Sequence, residues 1–80
     1  MNEQRRKIYG FIVRYKEQHD GNSPTYREIM TGCQLKSVST VGYYLADLED
    51  RGLIVRSVRR GGARVIEVVG GQWIAPEFGE

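Results

Sequence analysis

Cysteine and histidine are nearly missing from these 80 residues, with one of each, Cys33 and His19. A lone cysteine excludes an internal disulfide and fits a reducing compartment. The two residues lie far apart in sequence, so they indicate neither a metal-ligand cluster nor a Cys/His nucleophile pair. Cys33 falls between short helices where an apolar side chain belongs, and reads as a buried structural thiol. His19 falls near the end of a helix, where partial positive charge suits the dipole. No apolar stretch approaches membrane-spanning length, and Met1-Asn2-Glu3 leads into no apolar signal core, so no membrane is expected. No glycine-rich phosphate loop follows a strand, and Glu49 and Asp50 are adjacent rather than paired across a cleft. These absences argue against an enzyme and predict no cofactor and no metal.

What is present makes one small domain, with no room for a second core. Net charge is only +2, too weak by itself to imply a polyanionic partner. Its distribution is more informative. Arg51, Arg56, Arg59, Arg60 and Arg64 stand in a stretch without an acid, whereas Glu67, Glu77 and Glu80 follow. One electropositive face beside an acidic tail is the expectation.

Three helices and a hairpin are predicted along the chain. The first helix spans about Asn2 to Gln18, capped by Asn2. Its apolar stripe is Ile8, Phe11, Ile12 and Tyr15, with Arg5, Arg6, Lys7, Arg14 and Lys16 mostly off it. Gly10 costs roughly 1 kcal/mol there against alanine, so its small size is expected to serve close packing. The second helix has the clearest start, a capping box of Thr25 and Glu28 after Pro24, and stops near Gly32. The third runs from an N-cap at Ser37 to about Asp50, where Gly52 is placed to end it in a left-handed conformation. Val41, Tyr44, Leu45 and Leu48 share its inner side. Ser39, Tyr43, Ala46 and Asp50 point away, and Thr40 lies on the flank. Leu53–Val58 and Ala63–Val69 are β-rich and flank the turn former Arg59-Arg60-Gly61-Gly62. Ile66 and Val68 are expected to cover the helices, alternating with outward residues that include Arg64. The fold class is therefore mainly α with a small β-hairpin, a three-helix winged helix-turn-helix over residues 1–69. A tail follows at 70–80, in which Trp73, Ile74 and Phe78 either enlarge the core or face a partner.

A helix whose N-terminal half is uncharged and hydrogen-bonding suits the major groove, where base edges show distinct donor and acceptor patterns. Ser39, Thr40 and Tyr43 supply hydroxyls, the Thr40 methyl suits a thymine methyl, and Gly42 leaves room for close approach. Ser37 caps the helix while its amides face a phosphate. Thr25, Tyr26, Arg27 and Lys36 are candidate backbone contacts. Arg59 and Arg60 at the hairpin tip, with Arg64 behind them, form a wing for phosphates or the minor groove. Each feature has a plainer alternative. The hydroxyls could be a solvated helix face, and charges on a strand can guard an edge, a role that suits Arg56. Tyr43-Tyr44 with Asp47, Glu49 and Asp50 would equally suit a winged-helix module that binds an unknown protein partner.

The run Ser-Pro-Thr-x-x-Glu-Ile at Ser23 to Ile29, the spacing of Ile8, Phe11, Ile12 and Tyr15, and Gly52-Leu53-Ile54 before a short hairpin resemble the N-terminal DNA-binding domain of the LexA repressor family. The resemblance covers about Arg5 to Val69. It implies that the third helix reads operator DNA, with Ser37, Ser39, Thr40, Gly42 and Tyr43 at the operator-contacting positions. Two departures stand out. The turn before the capping serine usually carries Leu-Gly-Phe, and here reads Cys33-Gln34-Leu35, with glycine at Gly32 instead. The family's acidic readers are replaced by Gly42 and Tyr43, which implies a different operator. The chain also stops where a linker to the family's self-cleaving serine–lysine protease and dimerisation domain would begin. The expectation is a stand-alone, repressor-like transcriptional regulator in the cytoplasm of a bacterial or phage-infected cell. It would bind double-stranded DNA, with two copies, as a homodimer on DNA, serving a repeated site.

Overall fold

The computed structural model describes residues 3–62 and 64–70. The Asn2 cap and the Trp73, Ile74 and Phe78 tail lie outside them. The described chain forms α1 (Glu3–Gln18), α2 (Tyr26–Gly32), α3 (Val38–Asp50), β1 (Ile54–Val58) and β2 (Arg64–Val68). α1 packs on α2 and α3, α2 on α3, and β1 on α3. β1 and β2 pair antiparallel, with Ile54 opposite Val68 and Arg56 opposite Ile66.

Ile8 and Ile12 are fully buried as their spacing predicts. The buried face of α1 is rotated from the expected stripe, however. Tyr9, Val13 and Lys16 complete it, while Phe11 and Tyr15 are only half-buried. Lys16 is 2% exposed, contrary to its expected place off the stripe. Its ammonium donates to the Gly21 carbonyl at 2.8 Å and to Ser23 Oγ at 3.2 Å, which makes a buried cation tolerable. Burial still holds its pKa below the ordinary value. Cys33 is buried as expected, and burial pushes its thiol up.

The helix ends explain the turns. Thr25 Oγ1 accepts from the Glu28 N–H at 3.0 Å, and Glu28 accepts from the Thr25 N–H at 2.8 Å, closing the predicted capping box. α2 ends in a Schellman motif. Leu35 N–H donates to Met30 O at 2.8 Å and Gln34 N–H to Thr31 O at 3.2 Å. The left-handed position is Gln34, at φ 58°, where glycine would be unstrained. Glycine instead occupies Gly32 because a Cβ there would lie 2.2 Å from the Phe11 ring. The close-packing glycine is therefore Gly32. A Cβ on Gly10 would meet only the flexible Arg14 side chain, at 3.2 Å. α3 ends as predicted, with Gly52 at φ 77° and Leu53 N–H donating to Leu48 O at 3.0 Å.

Candidate nucleic-acid interface

Ser37 sets the start of α3. Its extended backbone stops the helix from continuing backwards, and its Oγ accepts from the Thr40 N–H at 3.2 Å. The Ser37 and Thr40 hydroxyls also share a hydrogen bond at 3.0 Å, so Thr40 belongs partly to the cap. With Val41, Leu45 and Leu48 fully buried, the opposite side of α3 must face solvent. Ser39 is exposed there, and Tyr43 is 68% exposed. The Tyr43 ring stands edge-on to Tyr44, with centroids 5.2 Å apart, and Tyr44 is half-buried against the core. A Cβ on Gly42 would meet nothing within 4 Å, so this glycine leaves an open notch between Ser39 and Tyr43. Val38 is also exposed beside Ser39, an apolar residue that the polar pattern did not single out.

Arg27 and Lys36 are exposed, at the first turn of α2 and just before the Ser37 cap. Thr25 is exposed too, although its hydroxyl oxygen is taken by the Glu28 N–H. Tyr26 is engaged differently from these. Its hydroxyl accepts from Arg56 Nη1 at 3.2 Å, and the Arg64 guanidinium stands 5.0 Å over its ring.

Arg59 and Arg60 project from the hairpin tip, where Gly62 N–H donates to Arg59 O at 2.9 Å. Gly61 and Gly62 take φ 90° and 88°, which other residues adopt only with strain. The arginines behind the tip are not one uniform patch. Arg51 pairs with Asp47, which also accepts from Arg5, and Arg56 pairs with Glu49. Arg56 is thus a half-buried link to α3 and not an edge guard. Arg64 lies on the same side of β2 as Ile66 and Val68, so it turns toward Tyr26, contrary to the expected alternation. Burial pushes Asp47 up, but Arg5 and Arg51 pull it further down, and it rests below the ordinary carboxyl value. The Arg56 backbone N–H, then its guanidinium, lowers Glu49. Two of the three acids on the last turns of α3 are therefore committed within the fold.

The described residues thus present an exposed, uncharged N-terminal half of α3 with a notch at Gly42, and a separate arginine-tipped hairpin. The family profile described as "LexA DNA binding domain" matches residues 1–64, from α1 to the first residue of β2. The chain belongs to the LexA DNA-binding domain family. Among relatives, the LexA repressor of Clostridium kluyveri is 44% identical over 68 residues, 85% of this chain and 32% of the relative. The LexA repressor of Koribacter versatilis is 36% identical over 69 residues, 86% of this chain and 31% of its own length. That of Bifidobacterium longum subsp. infantis is 36% identical over 77 residues, 96% and 31% respectively. The chain thus spans about a third of the length of the curated relatives it matches. Its LexA-type fold, three helices and a two-stranded wing, agrees with the sequence expectation. Among the described residues, no helix is long and apolar enough to cross a membrane.

Proposed function

We propose that this LexA-type domain binds double-stranded DNA sequence-specifically and acts as a transcriptional repressor. The match to a DNA-binding domain over residues 1–64 carries this reading. In it, α3 enters the major groove. Ser39, Thr40 and Tyr43 meet base edges, and Gly42 admits the groove floor. Arg27, Lys36, Ser37 and Thr25 hold the backbone, while Arg59 and Arg60, with Arg64 behind, lie along phosphates or in the minor groove. Tyr26 joins the backbone contacts through its hydroxyl, which accepts from Arg56 and keeps its own O–H to donate to a phosphate. Residues 1–69 act as the binding unit, and 70–80 as a tail. The open face of α3 supports placing that helix in the groove, because a mid-helix glycine without an internal packing role costs stability that the fold does not recover.

The test is selection from a random double-stranded library at near-physiological salt. An enriched motif, above all a pair of half-sites at fixed spacing, is the expected result. A stably folded protein that enriches nothing would overturn sequence-specific reading and favour a protein partner.

A further inference from the structure

A two-stranded hairpin has two open edges, and both edges of this one are gripped at the same rung. Arg56 and Ile66 are cross-strand partners. On the β1 edge, Glu49 Oε2 accepts from the Arg56 backbone N–H at 3.1 Å, while Oε1 accepts from Arg56 Nε at 3.1 Å. On the β2 edge, Ser23 Oγ accepts from the Ile66 N–H at 2.9 Å and donates to the Ile66 carbonyl at 3.0 Å. These outward-facing backbone groups mark Arg56–Ile66 as a non-hydrogen-bonded pair, the kind of rung that outside side chains can reach. Ser23 also accepts from Lys16 Nζ at 3.2 Å, which fills the one-donor, two-acceptor capacity of its hydroxyl. Arg56 Nη1 continues to Tyr26 on α2, and Arg64 covers the same ring. Beyond this rung lie only Ser57–Val65, Val58–Arg64 and the arginine tip.

We infer that Glu49 and Ser23 are positioning residues for DNA binding, which clamp the Arg56–Ile66 rung and so set where the wing arginines Arg59 and Arg60 stand relative to α3. The inference rests on the DNA-binding reading above. Neither clamp carries positive charge, and Glu49 is an acid beside a polyanion, so simple electrostatics assigns it the opposite effect from the one the clamp requires. Glu49→Gln keeps the shape, but it cannot accept from the Arg56 backbone and guanidinium through two oxygens.

The test is binding of Glu49→Gln and of Ser23→Ala to the duplex enriched by selection and to a random-sequence duplex, across a salt series. Denaturation curves establish that each variant is folded. A smaller folded fraction lowers apparent affinity but leaves the salt slope unchanged. Each variant is expected to bind about tenfold more weakly, with a slope flatter by about one to two units as the tip contacts are lost. The same changes made in an Arg59→Ala/Arg60→Ala background are expected to have no further effect on binding. Tighter or unchanged binding with the slope retained overturns the clamp, as does an equal loss in both backgrounds. Absence of salt-dependent duplex binding by the unaltered protein overturns the DNA-binding reading instead.

Discussion

Two glycines on neighbouring helices stand in opposite surroundings, one packed and one open. Gly32 ends α2 under the Phe11 ring, where an added methyl would overlap aromatic carbon at 2.2 Å. Gly32→Ala should therefore cost about 1–3 kcal/mol, since α1 and α2 must move apart or Phe11 must leave its rotamer. Gly42 is interior to α3 and faces open space. Gly42→Ala should raise stability by about 0.5–1 kcal/mol while weakening binding to the selected duplex, because the methyl fills the notch meant for the groove. Urea denaturation alongside duplex titration measures both quantities. If Gly42→Ala stabilises the fold and leaves affinity intact, the notch is not part of the interface. Gln34 shows where sequence and conformation parted. A turn that bends through a left-handed residue invites glycine, but the chain's glycine is needed two positions earlier to admit Phe11, and Gln34 accepts a strain of about 1 kcal/mol.

At the scale of elements, three carboxylates hold the pieces in register. Glu28 caps α2, Asp47 ties α1 to α3 through Arg5, and Glu49 ties α3 to β1. The Thr25 N–H lowers Glu28, the Arg56 N–H lowers Glu49, and the arginines around Asp47 outweigh its burial. A carboxyl group whose folded value is depressed contributes fully above its unfolded value, and that contribution disappears as pH falls through the folded one. The ordinary values are 4.5 for glutamate and 3.8 for aspartate. The urea midpoint should accordingly hold from neutrality to about pH 5 and fall progressively below it. A midpoint that stays level down to about pH 3 would mean these pairs are not formed in solution. The caps, the α3 face and the hairpin were legible because local rules govern them: a capping box, a 3.6-residue period and a glycine-rich turn. The clamp of Glu49 and Ser23 was not legible. Its partners are brought together by tertiary packing, and an arginine in a strand has the same spelling whether it guards an edge or bonds a helix. Lys16 was missed for a related reason. Periodicity scores a lysine as polar, whereas here Gly21 and Ser23 supply the oxygens that make its burial possible.

For the whole molecule, the distribution of paired and unpaired cations predicts how binding responds to salt. The sequence concentrates five arginines between residues 51 and 64, but the fold commits Arg51 to Asp47 and Arg56 to Glu49. Of the cations proposed above to contact DNA, Arg27, Lys36, Arg59, Arg60 and Arg64 are all exposed. Five phosphate contacts release counterions with a slope of log affinity on log salt near −4.5 per bound copy. A module of this size covers roughly 600–1,000 Å² on DNA, which makes two copies on a repeated site the natural route to useful specificity. On a duplex with two half-sites the total slope should therefore approach about −9, against about −4.5 for one half-site. Titrations across a salt series, with stoichiometry fixed independently by sedimentation, read this directly. A slope steeper than about −6 per copy would mean that Arg51 and Arg56 leave their acids for phosphates. The clamped wing would then be a feature of the free protein alone. A slope near −4.5 per copy, unchanged when Asp47 is replaced by asparagine, would fit Arg51 remaining on the fold side of the interface, with Arg59, Arg60 and Arg64 representing the hairpin on DNA.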